Sequence, residues 1–154
     1  MKSHEGKEWV GIDTNVLVFA DDVTSPHNDV AKKYLEDAFR GSIHVCLSHQ
    51  VLMEYFSVIT SPHRVKHPLS IPEAKDRLLF LNRTRRIKKI YPSRTSLKRC
   101  IELCAQNSIK GVKIFDVYYA TVLLDNKIYK LITQNEKDFN FITGLRTVNP
   151  FTPC

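Results

Sequence analysis

Short apolar runs alternate along this chain with longer segments whose apolar residues recur at helical spacing. The first run, residues 9–12, is typical of a buried strand and ends at a carboxylate, Asp13. Further strands are predicted at residues 43–47, 87–91, 129–133 and 146–148. Helical patterns follow Asp13 and occupy residues 25–40, 48–60, 71–81, 95–105 and a segment from about 115.

This alternation predicts the fold class. Each segment between two strands is long enough for a crossover connection, which joins parallel strands with a right-handed turn. The pattern therefore favours a mainly parallel five-stranded sheet with helices on both faces, a three-layer α/β/α architecture.

Polar residues at the helix boundaries support the same elements. Serine, threonine and asparagine favour the position before a helix, because their side-chain oxygens accept hydrogen bonds from free amides of the first turn. A serine followed three residues later by glutamate is a capping-box signature. The predicted caps are Thr14 or Asn15, Ser48, Ser70 with Glu73, and Thr95 or Ser96.

Length and composition favour one domain. The 154 residues are 43% hydrophobic, enough for a single core, which we expect over residues 9–154 after a flexible segment 1–8. No apolar run reaches the roughly eighteen residues of a transmembrane helix, and the polar start lacks the apolar centre of a signal peptide. We expect an intracellular, cytoplasmic protein. Its four cysteines form no CxxC pair, which favours free thiols over a metal site.

The positive charge of the chain is concentrated in one tract. Lysine and arginine number 23 against 16 acidic residues, a net charge of +7, and residues 83–99 contain eight basic residues and no acidic one. We call residues 83–99 the basic tract. A tract of this density attracts polyanions, although a solvated basic surface is also compatible with it.

Three acidic residues are predicted to face inward. Asp13 should lie at the carboxyl end of a central strand, where open α/β sheets bind ligands. Glu54 falls beside the apolar stripe of its helix, and Asp116 falls within the stripe of a later helix. Capping of a helix by Asp116 is the alternative. Converging carboxylates repel one another, and a divalent cation removes that cost; oxygen ligands favour Mg²⁺ or Mn²⁺ over Zn²⁺.

The fourth predicted strand is followed by further oxygen-bearing side chains. Thr133 and Asn135 lie where this strand meets the ligand-binding edge, and Asp138 lies just beyond. If the first and fourth strands are neighbours, Asp13, Asn135 and Asp138 converge.

Four segments together are similar to one family. Residues 12–17, 48–54, 115–120 and 133–139 resemble, in order and spacing, the PIN domain nucleases, and especially the VapC-type toxins of toxin–antitoxin pairs. The resemblance spans residues 9–151. It implies a five-stranded parallel sheet and a divalent-metal-dependent ribonuclease that is often a homodimer. A VapC-type protein also implies an antitoxin protein as partner.

The resemblance also implies roles for individual residues. Thr14 and Thr133 would assist through hydroxyl contacts to the carboxylates or to water. Many family members carry aspartate where this chain has Asn135, so the cluster holds less negative charge, and Asp138 is the alternative ligand. The implied metal ligands are Asp13, Glu54, Asp116 and Asp138. The implied catalytic set is Asp13, Thr14, Glu54, Asp116, Thr133, Asn135 and Asp138.

These residues predict hydrolysis of an RNA phosphodiester bond that leaves a 3′-hydroxyl and a 5′-phosphate. Part or all of the basic tract would hold the flanking phosphates. A non-catalytic RNA-binding PIN-like module, whose acids only cap helices, and a free-standing PIN nuclease without antitoxin are the alternatives. An aspartyl phosphatase is disfavoured, because Asn15 stands where such enzymes need a second aspartate.

Three other features have ordinary structural interpretations. The five glycines form no GxGxxG pattern, which argues against dinucleotide binding. His63 and His67 lie in a proline-bounded link and are expected at the surface. Tyr118 and Tyr119 could stack on bases, but packing is favoured for at least one of the two rings.

Overall fold

The computed structural model describes residues 6–152 and contains one five-stranded sheet. The strands are β1 (Trp9–Ile12), β2 (His44–Ser48), β3 (Ile87–Ile90), β4 (Lys130–Ile132) and β5 (Arg146–Val148). They lie in the order β3-β2-β1-β4-β5, and every neighbouring pair is parallel. The predicted adjacency of the first and fourth strands is confirmed. The strand order changes direction between β1 and β4, so the carboxyl ends of these strands form the ligand-binding edge.

Six helices of at least eight residues cover the sheet within residues 6–152. They are α1 (Thr14–Asp21), α2 (Asn28–Arg40), α3 (His49–Ile59), α4 (Ile71–Arg83), α5 (Ser96–Gln106) and α6 (Ile114–Asp125). Helix α1 packs on α2 and α3, α3 packs on α4, and α5 packs on α6. Right-handed crossovers place α1–α4 on one face and α5 and α6 on the other. The predicted three-layer α/β/α fold is confirmed.

The boundaries of the predicted elements hold to within three residues, and two of the predicted caps are present. The Ser48 hydroxyl accepts a hydrogen bond from the amide of Val51 at 3.2 Å. Ser70 and Glu73 form both halves of a capping box.

Two predicted caps are wrong. Helix α1 is capped by Asp13 rather than by Thr14 or Asn15, because the extended backbone at the end of β1 brings the Asp13 carboxylate to the first amide of the helix. Thr95 occupies the position before α5 but makes no capping hydrogen bond with its side chain.

Helix α6 packs directly on β1 at a glycine. A Cβ atom added to Gly11 would lie 2.6 Å from Cδ2 of Leu123 and 3.2 Å from the Tyr119 hydroxyl oxygen. The Tyr119 hydroxyl donates a hydrogen bond to the carbonyl of Ile12 at 2.8 Å. The packing predicted for one of the two adjacent tyrosines is therefore confirmed at Tyr119, which is buried.

The single apolar stripe expected on α6 is wrong in its extent. The predicted stripe comprises Val117, Ala120, Leu123 and Leu124; its first three members are buried and Leu124 is only partly buried. Tyr119, Thr121 and Val122 are buried in addition. The helix is enclosed on several sides because it packs against both the sheet and α5. This packing holds the start of α6 beside the end of β1.

The segment before β1 contacts the body of the protein. The expectation of a flexible segment 1–8 falls partly on residues 1–5, outside the described residues. Lys7 donates a hydrogen bond to the carbonyl of Gly41 at 2.9 Å. Glu8 accepts a hydrogen bond from Arg146 at 3.0 Å and pairs with Lys130 at 3.6 Å.

Three cysteines lie in the described residues, and all three carry free thiols. Cys46 and Cys100 are buried and Cys104 is partly buried, while Cys154 lies outside the described residues. His63 and His67 are exposed, as predicted. None of the helices within residues 6–152 has the length and apolar character needed to cross a membrane.

Candidate active site

A cavity of about 440 Å³ opens at the ligand-binding edge of the sheet. We call it the acidic cavity, because Asp13, Glu54 and Asp116 line it. These residues come from the end of β1, from α3 and from the first turn of α6. The other lining residues are Thr14, Asn15, Val18, Phe19, Val58, Arg64, Val112, Phe115 and Asn135.

Asp13 is buried at the base of the acidic cavity, and both of its carboxylate oxygens accept hydrogen bonds. The amide of Thr14 donates to Oδ1 at 2.7 Å, and the Thr133 hydroxyl donates to Oδ2 at 2.7 Å. Burial raises the pKa of Asp13 above its ordinary value, although these hydrogen bonds act in the opposite direction. Asp13 therefore both caps α1 and presents a desolvated carboxylate to the cavity.

Glu54 is held by hydrogen bonds to each carboxylate oxygen. The Thr14 hydroxyl donates to Oε2 at 2.9 Å, and Nε2 of Gln50 donates to Oε1 at 2.9 Å. The same Gln50 nitrogen lies 2.8 Å from the carbonyl oxygen of Phe115, to which it also donates. These contacts fix Glu54 relative to α1 and to the start of α6.

Asp116 lies in the first turn of α6 without capping that helix. The residue before the helix is Lys113, and its side chain makes no capping bond either. Burial, reinforced by the carboxylates of Asp13, Asp138 and Glu54, raises the pKa of Asp116 to about 7, while Lys113 lowers it. The capping alternative for Asp116 is therefore wrong.

Asn135 and Asp138 take different positions. Asn135 lines the acidic cavity, and its backbone amide donates to the Thr133 hydroxyl at 3.0 Å. Asp138 lines a separate cavity of about 120 Å³, where one of its oxygens lies 4.0 Å from the Lys113 ammonium. The Asp138 charge nevertheless raises the pKa of Asp13 and Asp116. The structure thus brings Asn135 to the cavity wall and leaves Asp138 beside it.

The donor set of the acidic cavity suits a hard divalent cation. Within residues 6–152, no group of three or more His, Cys, Asp or Glu side chains could hold a metal ion without other ligands. A closed zinc site, which takes four protein ligands, therefore does not fit these residues. Mg²⁺ needs less from the protein, usually one or two carboxylates together with water and phosphate oxygens. The carboxylates of Asp13, Glu54 and Asp116 line one cavity together with Asn135 and meet that requirement.

Sequence reasoning missed three residues of this site. Asn15 donates to Oδ2 of Asp13 at 3.4 Å and to the Thr133 hydroxyl at 3.4 Å. Gln50 precedes Glu54 by four residues on one helix, a spacing that could have indicated their contact. Arg64 lines the cavity from the link between α3 and α4, and no local pattern indicates this.

The basic tract lies partly at the amino ends of the strands and partly at their carboxyl ends. Residues 83–86 precede β3, and residues 94–99 follow it. Because β3 runs parallel to β2 and β1, the first group lies at the edge opposite the acidic cavity. In the second group, Arg99 forms a salt bridge with Asp125, whereas Arg94 and Lys98 are exposed at the same edge as Asp13.

Comparisons with known proteins agree with this fold. The chain is 29% identical over 144 residues to Ribonuclease VapC24 of Mycobacterium tuberculosis. The alignment covers 93% of this chain and 97% of that protein. The crystal structure of VapBC2 from Rickettsia felis, bound to a DNA fragment from their promoter, superposes with a TM-score of 0.61 at 24% identity, covering 92% of this chain and 98% of that chain.

A second solved structure is similar at lower identity. VapC20 of Mycobacterium tuberculosis, described as a sarcin–ricin loop cleaving toxin, has a TM-score of 0.59 and 12% identity, covering 79% of this chain and 86% of that chain. The family model described as "PIN domain" matches residues 10–143. That match covers most of the chain, and it shows that this protein belongs to the PIN domain family.

Proposed function

We propose that this protein is a divalent-metal-dependent endoribonuclease and the toxin component of a toxin–antitoxin pair. The observation that carries the proposal is the acidic cavity, in which Asp13, Glu54 and Asp116 meet from distant parts of the chain. Within residues 6–152, none of the three forms a salt bridge that would neutralise its charge. Similarity to Ribonuclease VapC24 along 93% of the chain supports RNA as the substrate.

Mg²⁺ or Mn²⁺ would be held by one or two of the carboxylates of Asp13, Glu54 and Asp116 together with water and phosphate oxygens, with Asp138 adding negative charge nearby. When bound, such a cation polarises a phosphoryl oxygen and neutralises the charge that develops during hydrolysis. This assignment leaves Asn135 as a neutral oxygen donor at the cavity wall.

The protein side chains would orient the reacting groups. Thr133 holds the Asp13 carboxylate through Oδ2, and Thr14 holds Glu54 through Oε2. Arg64, at the cavity wall, supplies a cation for a non-bridging phosphate oxygen.

The test is RNA cleavage by the wild type and by Asp116→Asn. Both proteins are incubated with structured and unstructured RNAs in Mn²⁺, in Mg²⁺ and in EDTA, and the product ends are identified. We expect the wild type to cleave only with metal, leaving 3′-hydroxyl and 5′-phosphate ends, and Asp116→Asn to lose about 100-fold or more in rate. Asp76→Asn, the same change at an exposed position on α4, is the matched control. Full activity of Asp116→Asn with saturating metal would contradict the assignment.

A non-catalytic RNA-binding module is the second candidate, and the capping of α1 by Asp13 is the observation that favours it. It predicts salt-sensitive RNA binding with no cleavage in either metal. Thermal unfolding separates the two functions independently of activity. If the acidic cavity binds Mn²⁺, the ion raises the Tm of the wild type more than that of Asp116→Asn.

The partners belong to the same proposal. Similarity in fold to a toxin–antitoxin complex from Klebsiella pneumoniae supports an antitoxin protein as partner of this chain. We expect the protein to act in the cytoplasm. We also propose a homodimer. Leu97 and Ile101, four residues apart on α5, are both more than half exposed and form an apolar face suited to a second copy. Light scattering on the purified protein tests the dimer.

A further inference from the structure

Two exposed apolar side chains lie at the wall of the acidic cavity. Phe115 is 55% exposed and Val112 is 79% exposed. Other large apolar side chains are exposed elsewhere within residues 6–152, but none of those lines this cavity. Phe115 directly precedes Asp116 in the sequence, and its ring is exposed to solvent. Packing in the core therefore does not explain an aromatic residue at this position.

The backbone of Phe115 is fixed relative to the catalytic acids. Its carbonyl oxygen accepts the hydrogen bond from Gln50 Nε2, and that nitrogen also donates to Glu54. Phe115 lies in the first turn of α6, which packs on β1 through Gly11. The ring is thus attached to a rigid part of the cavity wall.

The neighbouring aromatic residues cannot take the same role equally well. Tyr119 is buried, and its hydroxyl is bound to the carbonyl of Ile12. Tyr118 is half-buried and packs against the core, and it is absent from the cavity wall. Phe19 also lines the cavity, but it is partly buried and packs against His27 and Phe151. Among the aromatic side chains of residues 6–152 that line the acidic cavity, Phe115 is the exposed one.

We propose that Phe115, with Val112 on the same wall, is a stacking platform for an unpaired base next to the scissile phosphate. The proposal rests on the proposed ribonuclease function and assigns to that site a residue that recognises an unpaired base. An aromatic ring stacks on any base, but a base inside a duplex is already stacked and paired and does not reach the ring. Apolar surface at the wall of a charged cavity thereby selects unpaired RNA over duplex RNA.

The experiment measures RNA binding by fluorescence anisotropy in EDTA, where cleavage does not proceed. The variants are Phe115→Ala and Phe115→Trp, and the matched control is Phe80→Ala, which removes a 59% exposed ring on α4 outside the acidic cavity. We expect Phe115→Ala to weaken binding of an unstructured oligoribonucleotide by about 5- to 100-fold. Phe115→Trp should retain binding, and duplex RNA should bind the wild type and Phe115→Ala equally.

A second measurement distinguishes stacking from a structural role. An abasic nucleotide is placed at successive positions of the same oligoribonucleotide. At one position it should weaken binding to the wild type by as much as Phe115→Ala does, and combining the two changes should cause no further loss. A structural role would not produce this loss of additivity.

The stacking role would be overturned by unchanged RNA binding in Phe115→Ala or by an equal loss of binding in Phe80→Ala. It would also be overturned if Phe115→Ala had a different oligomeric state from the wild type, because the ring would then belong to a protein interface. The proposed function fails separately. If the wild type neither binds nor cleaves any RNA, the ribonuclease assignment is wrong. If the wild type cleaves RNA and Phe115→Ala binds it normally, only the stacking platform is wrong.

Discussion

At Asp116, burial and three neighbouring carboxylates act in the same direction on one ionisation. Burial is the largest cause of its raised pKa, and the charges of Asp13, Asp138 and Glu54 add to it. The folded protein therefore binds a proton at Asp116 more tightly than the unfolded chain does. In the metal-free protein the ionised carboxylate of Asp116 lowers the free energy of unfolding, because it is desolvated and lies near three other carboxylates.

The pH dependence of stability follows from this shift. The Asp116 pKa rises from 3.8 to about 7 on folding, so the destabilisation is absent below the lower value, grows between the two and is complete above pH 7. We expect Asp116→Asn to have a higher Tm than the wild type at about pH 8 in EDTA, with the difference shrinking towards about pH 4.5. Thermal unfolding followed by circular dichroism measures it.

Asp76→Asn is the control for that series. This side chain is exposed on α4, so its replacement should shift Tm by only a small amount. A stability difference for Asp116→Asn that stays constant from acid to alkaline pH would show that Asp116 is not destabilised by its surroundings.

At the scale of elements, the site depends on how closely α6 approaches β1. Leu123 and Tyr119 contact the strand where Gly11 has no side chain, and the Tyr119 hydroxyl is bonded to the carbonyl just before Asp13. Because α6 is rigid, this contact also sets the position of Asp116, which lies about one turn before Tyr119 and about two turns before Leu123.

A side chain at Gly11 should disturb both folding and the site. Gly11→Ala would place its Cβ 2.6 Å from Cδ2 of Leu123, and the surrounding core is closely packed. We expect a loss of about 1–3 kcal/mol in the free energy of unfolding, measured by denaturant titration. Gly6→Ala, where an added Cβ meets no atom within 4 Å, should be close to neutral. Equal stability of the two variants would refute the close approach.

At the scale of the whole molecule, the basic tract lies partly at the amino ends of the strands and partly at their carboxyl ends. The acidic cavity lies at the carboxyl edge, and residues 83–86 of the basic tract lie at the opposite edge. Arg94 and Lys98 follow β3 and are exposed on the carboxyl side, the side on which the proposed function places the RNA.

The two halves of the basic tract should therefore differ in RNA binding. Arg94→Ala/Lys98→Ala should weaken binding and reduce the slope of log K against log salt by up to about 1.4 for single-stranded RNA, which is about 0.7 for each lost phosphate contact. Arg85→Ala/Arg86→Ala removes the same charge at the far edge and should leave that slope unchanged. Salt titrations of RNA binding in EDTA compare the pairs. Equal reductions would mean that the tract acts only through its net charge.

The sequence by itself determined the elements, their order and the residue types of the candidate site. Strand and helix periodicity is local, and so are the caps at Ser48 and Ser70, so they could be predicted from neighbouring residues. The inward position of Asp13 and Glu54 followed from the same periodicity. The family resemblance added the threonine contacts, which the hydroxyls of Thr14 and Thr133 make.

Only the tertiary structure decided which distant groups meet. Asn15 contacts Thr133 across 118 positions of sequence, and Gln50 contacts the carbonyl of Phe115 across 65. Asp138 lies beside Lys113 and outside the acidic cavity. Its position in the sequence, shortly after β4, had made it a candidate ligand. Strand order and helix packing set these distances, and neither is encoded in the spacing of residues within one element.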